Sequence, residues 1–173
     1  MIEKSKTKFT LKQLIFLALL TAINVVVSRL FIIPVPMTHG NINFCDAGIF
    51  IVALIFGTSA GAVVGGLSGF MLDLFSGYGQ YMLFSLLVHG LEGALVGVTV
   101  KYLPIKGTLL KNILAMSVGI IIMVLGYFAV DSILYTLSAG AIGTLTNTFQ
   151  GVAGAVIALL IIPAVKRIIA GIR

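Results

Sequence analysis

The sequence predicts an all-α integral membrane protein of six transmembrane helices with both termini cytoplasmic, and three observations lead there. Of 173 residues, 60% are hydrophobic and 9% charged, with a mean hydropathy of +1.19, whereas a soluble domain carries about 25% charged residues to cover its surface. Apolar runs long enough to cross a bilayer recur along the whole chain, so the solvent of this core is lipid. The basic residues fall between those runs in a strongly one-sided pattern. A single membrane domain spanning residues 1–173 accounts for all of it.

Segment one runs from Leu11 to Ile33 and is closed by Pro34-Val-Pro36, because proline lacks a donor and pushes the preceding residue out of helix. It is long for a signal-peptide core, and no small-x-small site precedes Pro34, so it is read as a retained helix. A polar stretch, residues 37–43, leads to a short segment two from Phe44 to Phe56. A turn at Gly57-Thr-Ser59 opens segment three, Ala60 to Phe75, and Ser76 to Gln80 forms a second polar connector. Segment four runs from Tyr81 to Tyr102, where Pro104 and Gly107 break it. Segment five, Leu110 to Leu137, exceeds the hydrocarbon thickness, so tilt or protrusion is expected. A turn from Ser138 to Gly143 precedes segment six, Thr144 to Val165, with Pro163 near its end.

If each segment crosses once from the inside, Lys4, Lys6, Lys8, Lys12, Lys101, Lys106, Lys111, Lys166, Arg167 and Arg173 fall on one side and only Arg29 on the other. Excess Lys and Arg mark cytoplasmic loops. The polar connectors after Ile33, Phe75 and Leu137 then face outward together. The net charge of +6 is spent on orientation; nucleic-acid binding would want the bases on one face with aromatics among them.

Four of the five acidic residues, Asp46, Asp73, Glu92 and Asp131, lie within or at the edge of apolar segments. A carboxylate at the bilayer centre costs about 2.5–3.5 kcal/mol on insertion scales, so it faces a cavity or a partner. His89 and Glu92 share a helical face at a spacing of three. With His39, Asn41, Asn43, Tyr78, Gln80, Tyr81, Asp131, Tyr135, Asn147 and Gln150 they gather in the outer half of the protein, as a pocket open to the outside. Each has a plainer reading as well. Asp46 could cap segment two, Asp73 could bond a neighbouring helix, His89 with Glu92 could be a satisfied interhelical pair, and Asn147 and Gln150 could stitch helices together.

Gly57, Gly61, Gly65 and Gly69 recur every four residues and lead to Asp73, a stripe that lets another backbone approach closely, inside the protein on the simplest reading. Ala18 and Ala22 form a similar pair on segment one, where an external partner helix is the alternative. Two histidines and one cysteine give no zinc spacing, so no metal or cofactor is expected. No Walker loop and no Ser–His–Asp relay are present, and the chain is not read as an enzyme. Cys45 stands alone, which excludes an internal disulfide.

The ordered set Ala18-x-x-x-Ala22, Thr38 to Asn43 followed by Asp46, the glycine run from Phe56 to Gly66, Asp73 with Ser76-Gly-Tyr78, His89 to Gly93, Gly126 to Asp131 and Asn147 to Gly151 resembles the S component of energy-coupling factor (ECF) vitamin transporters over nearly the whole chain. It is most similar to the riboflavin-type branch, which takes in components for hydroxymethylpyrimidine or pyridoxine. Asp131 stands where that branch often has glutamate before Ser-Ile-Leu-Tyr135. The resemblance implies a multi-pass protein of the bacterial cytoplasmic membrane that captures a vitamin from outside. It further implies that the S component topples in the membrane while docked, through Ala18 and Ala22, on an EcfT-type coupling subunit driven by two cytoplasmic EcfA-type ATPases. No Lys or Arg lies in the outward pocket, so a multiply anionic ligand would meet uncompensated carboxylates. A small, flat, neutral or weakly cationic heterocycle with hydroxyls suits the mixed donors and aromatics. Pyridoxine or a hydroxymethylpyrimidine fits; riboflavin or another vitamin, or a stand-alone channel or secondary transporter, is the alternative.

Overall fold

In the computed structural model, which describes residues 9–35 and 40–171, six helices and one short hairpin follow one another along the chain: α1 (Leu11–Leu30), β1 (Ile33–Val35), β2 (Gly40–Ile42), α2 (Cys45–Phe56), α3 (Thr58–Ser76), α4 (Met82–Tyr102), α5 (Thr108–Leu134) and α6 (Leu137–Gly171). The lysines at positions 4, 6 and 8, His39 and Arg173 lie outside the described residues. All helices but α2 are long and apolar enough to cross a membrane. The 12 residues of α2 rise only about 18 Å, short of a hydrocarbon core about 30 Å thick. The helical fold class holds, with five helices long and apolar enough to span and one, α2, that is shorter.

Local chemistry sets most of the boundaries. At the start of α1 the Thr10 hydroxyl accepts from the Gln13 amide at 3.3 Å, and the Gln13 side chain accepts from the Thr10 amide at 2.9 Å, a reciprocal cap for two amides the helix leaves unpaired. Gly57 (φ 85, ψ −169) makes the corner between α2 and α3, and Gly77 closes α3 in the left-handed region, so Tyr78 N–H donates back to the Asp73 carbonyl at 2.9 Å.

Two expectations are corrected. Residues 138–143 form no turn; they are the opening of α6, where the Thr136 hydroxyl accepts from the Ala139 amide at 3.1 Å. Their small side chains serve packing instead. A methyl on Gly140 would strike Ser132 and the Phe128 carbonyl, so this glycine lets α6 lie directly on α5. Segment one ends as a helix at Leu30, and Ile33, read as its last residue, opens a strand that pairs with the polar stretch after it, Ile33 opposite Ile42, Pro34 opposite Asn41 and Val35 opposite Gly40. Pro163 lies inside α6 and removes one intrahelical bond without ending the helix.

The glycine stripe packs α3 on α4. Added methyls would strike the Gly93 carbonyl from Gly61, the His89 carbonyl from Gly65, and the His89 ring and Ser85 carbonyl from Gly69. Such close backbone approach is how membrane helices gain contact where lipid is as apolar as leucine. Phe50, Ala53, Val96, Ala115, Met116, Ala158 and Ile162 form the buried core between α2, α4, α5 and α6. On α1, Leu17, Thr21, Asn24, Val25 and Ser28 face inward, and the Asn24 amide donates to the Cys45 carbonyl at 3.1 Å. Ala18 and Ala22 are exposed, among exposed Leu19, Ile23 and Val26.

Candidate ligand-binding site

Alternating helix directions bring the C-terminal ends of α3 and α5 together with the N-terminal ends of α2, α4 and α6. A pocket opens at that end, lined by Asn41 and Asn43 from the hairpin and its exit, Gly69, Leu72 and Asp73 from α3, and Tyr81 and His89 from the start of α4. Tyr127 and Asp131 of α5 and Thr146, Asn147 and Gln150 of α6 complete it with Val35 and Gly40. Its cavity is about 40 Å³.

Hydrogen bonds hold the polar wall in a definite order. Tyr81 donates its phenol proton to Asp131 at 2.6 Å. The Ser85 hydroxyl donates to the Asp73 carboxylate, and with that proton committed, Tyr127, 2.6 Å from Ser85 Oγ, supplies the proton of the next bond. The result is a chain from α5 through α4 to α3. The Tyr127 ring meets His89 edge-on at 5.5 Å and lies 6.3 Å from the Tyr81 ring. On the opposite wall Asn43 links three elements: its backbone amide donates to Gln150 Oε1 at 2.8 Å, its side-chain amide donates to Asn41 at 2.8 Å, and its Oδ1 accepts from the Cys45 amide at 2.8 Å.

That last bond settles one expectation. The side chain at the start of α2 that accepts a backbone amide is Asn43, and Asp46 makes no capping bond. Asp46 instead points into the protein beneath the pocket, where it is fully buried with Glu92, and His89 stands between them and the cavity. His89 Nδ1 is 2.7 Å from Glu92 Oε2 and 3.6 Å from Asp46 Oδ1. One donor atom from each of the three lies within 4.8 Å of the others, a set able to hold a metal ion.

Of the residues singled out in the sequence, Asn41, Asn43, Tyr81, His89, Asp131, Asn147 and Gln150 line this cavity. Glu92 lies behind His89, Tyr135 packs on Tyr81 at 6.3 Å without lining the pocket, and Tyr78 and exposed Gln80 stand outside the wall. Asp73, Tyr127 and Thr146 line it although sequence reasoning did not place them there. Tyr127 had a signal: it precedes Asp131 by four residues and so shares its helix face. Among the described residues, no lysine or arginine lines the cavity. Among the same residues, Lys12, Lys101, Lys111, Lys166 and Arg167 lie toward the opposite ends of their helices, Lys106 lies in the α4–α5 connection at that end, and only Arg29 lies at the pocket end.

Comparison with known proteins gives four matches. Residues 8–167 match the family model of the ECF-type riboflavin transporter, S component. A thiamine precursor transporter, HmpT, of Lactococcus lactis subsp. cremoris is 36% identical over 158 residues, covering 91% of this chain and 89% of that protein. An uncharacterised protein in a gap 3' region of Pyrococcus woesei is 37% identical over 133 residues, covering 76% of this chain and 86% of that one. The solved S component of a bacterial ECF transporter superposes with a TM-score of 0.65 at 20% identity, covering 91% of this chain and 97% of that structure, a likeness of fold.

Proposed function

The chain belongs to the family of ECF-type riboflavin transporter S components, and from that premise we propose that it captures a small, neutral or weakly cationic vitamin precursor, a hydroxymethylpyrimidine before pyridoxine, from outside the cell. As a member it is a substrate-binding transporter subunit, a multi-pass membrane protein and not an enzyme.

The observation that carries the substrate reading is the polarity of the cavity: among the described residues, two carboxyl groups, a histidine, two tyrosines and four side-chain amides line it, with no fixed positive charge. An aminopyrimidine with a hydroxymethyl arm offers an amine to the carboxylates, ring nitrogens to amide or hydroxyl donors, and a flat face to the tyrosines. A phosphorylated ligand would meet Asp73 and Asp131 with nothing to balance it. The small cavity favours one ring over three. A relative 36% identical is a thiamine precursor transporter, which agrees in class.

The basic ends of the helices would face the cytoplasm by the positive-inside rule, which directs the pocket outward and places both termini inside a bacterial cytoplasmic membrane. Delivery would follow the family scheme, with the S component docking on an EcfT-type coupling subunit and toppling as two EcfA-type ATPases work. The test is thermal unfolding of the purified chain in detergent with a panel of vitamins. A ligand at 100 times its Kd stabilises the native state by about 2.7 kcal/mol, and hydroxymethylpyrimidine is expected to do so while pyridoxine and riboflavin do less. Asp131→Asn and Asn147→Ala should each weaken the response. Selective stabilisation by a phosphorylated or polyanionic vitamin would overturn the reading.

A further inference from the structure

Below the pocket floor, Asp46 from α2 and His89 and Glu92 from α4 converge in a space walled by α5 at Gly119 and by α6 at Gly154. An added methyl at Gly119 would stand 3.4 Å from Glu92 Cγ, and one at Gly154 2.8 Å from Asp46 Cβ. Asp46 and Glu92 have no exposure to solvent, and His89 has almost none. Both carboxylate oxygens of Asp46 and Oε1 of Glu92 lack a hydrogen-bond partner of ordinary geometry, although the two carboxyl groups stand against each other and the Gln150 side chain stands beside Asp46. Buried polar atoms in native proteins are otherwise nearly always satisfied, so orphaned ones call for an explanation. Here three orphans belong to two acids facing one histidine, in a protein whose described lysines and arginines all lie elsewhere.

We propose that Asp46, His89 and Glu92 form a buried site for one divalent transition-metal ion, with zinc as its first candidate. Donors about 2.1 Å from a common tetrahedral ion stand about 3.4 Å apart. The 3.6 Å between His89 Nδ1 and Asp46 Oδ1 matches that spacing, and a small rotation of Glu92 opens its 2.7 Å contact to suit. Two carboxylates and a neutral imidazole around a divalent ion form a set of zero net charge, the condition a lipid-buried cluster needs. A single proton shared between the acids would occupy two of the open oxygens; an ion engages both side chains and the ring nitrogen together. Magnesium and calcium are disfavoured, for they want six or more oxygens, whereas one nitrogen with two carboxylates suits zinc and its neighbours. His89 and Gln150 also line the vitamin cavity, so the ion would enter through it, and coordination would fix the ring that forms the cavity floor. The site stands on its own geometry, whichever vitamin the pocket takes.

The experiment uses the full chain, purified in detergent on a tag without histidines, stripped with chelator, reloaded with zinc chloride, desalted and assayed by elemental analysis. About one zinc per chain is expected. Glu92→Gln and Asp46→Asn should weaken zinc by at least about 100-fold, beyond the 10–100-fold that losing a supporting partner costs, and Gly79→Ala, outside both the triad and the cavity, should keep it. Cobalt substituted into the wild-type chain gives a readout that needs no variant: intense visible bands of a four-coordinate N/O site are expected. Wild-type protein that retains no zinc or cobalt, or zinc that survives undiminished in well-folded Glu92→Gln, overturns the proposal. Ligand-induced stabilisation is measured separately, so failure here leaves the vitamin reading to its own test.

Discussion

The Tyr81 phenol donates a 2.6 Å hydrogen bond to Asp131 across the interface of α4 and α5, with both side chains almost wholly buried. Tyr81→Phe removes the donor and keeps the ring, so the Asp131 carboxyl is left short of a partner. An orphaned buried group costs about 1–3 kcal/mol, more when charged. The apparent Tm of the purified protein should fall by several degrees. Ligand affinity should drop by about tenfold, because the carboxylate loses the partner that fixes its direction. A variant with unchanged Tm and affinity would show that this bond neither steadies the helix ends nor aims the acid.

Packing of α3 on α4 makes the second prediction. Gly61 faces the Gly93 carbonyl so closely that a methyl would collide with backbone, and backbone cannot swing aside as a side chain can. Gly61→Leu should therefore force the helices apart, costing at least the 1–3 kcal/mol typical of overpacking, and should reduce the yield of monodisperse protein. Because the same stripe seats Gly69 against His89 and leads to Asp73, any protein recovered should bind ligand poorly. Gly79→Ala, with open space around the added methyl, should behave as wild type within about 0.5 kcal/mol. Size-exclusion profiles and thermal unfolding of the pair decide it.

Much of this architecture was legible in the residues, and what was not has identifiable causes. Charge placement and apolar runs located α1 to α5 to within a few residues, because lipid allows little but helix to cross it. The strands escaped because three residues each are too few for alternation to register. Residues 138–143 read as a turn because serine and glycine usually make one; here the glycines are small for the sake of α5, a tertiary demand no local window contains. Asp73 entered the pocket by the same route, since only the glycine stripe ahead of it says which neighbour it meets. Asp46 is the sharpest case. Its sequence position at a helix start suggested a cap, but Asn43 takes that role, and the meeting of Asp46 with His89 and Glu92, more than 40 residues away, needs the folded chain.

Orientation can be tested with the chain's own chemistry. Cys45 is its sole cysteine and is fully buried, so it should stay inert to thiol reagents in intact membranes. A cysteine introduced at exposed Gly79 lies at the pocket end, and one at exposed Lys106 lies in the α4–α5 connection at the opposite end. With the basic ends inside, a membrane-impermeant maleimide applied to whole cells should label Gly79→Cys and spare Lys106→Cys until the cells are opened. The reverse pattern would turn the pocket toward the cytoplasm and remove the basis for capture from outside.

Coupling to a partner makes a prediction that separates binding from transport. Ala18 and Ala22 are exposed one turn apart on α1, beside a groove floored by Leu67, Met71 and Phe75 of α3, on a face whose other exposed residues are large and apolar except Arg29 at its pocket end. The inward face of α1 is a different set, anchored by Asn24 on Cys45, and none of the cavity residues lies on α1. Small residues at this spacing let another helix approach closely. Ala18→Leu with Ala22→Leu would fill that approach without touching the pocket or the α1–α2 contact. The double variant should fold with a wild-type Tm and bind vitamin within about twofold of wild type, since surface changes of this kind stay within about 0.5 kcal/mol. Uptake in cells supplying the coupling subunit and ATPases should fall by at least about tenfold, the effect of losing about 1.4 kcal/mol of docking energy, and co-purification with the coupling subunit should fall with it. Undiminished uptake would move the docking surface to another face of the bundle. Lost uptake together with lost vitamin binding would instead mean that α1 supports the pocket, and that its exposed face is not a separate docking site.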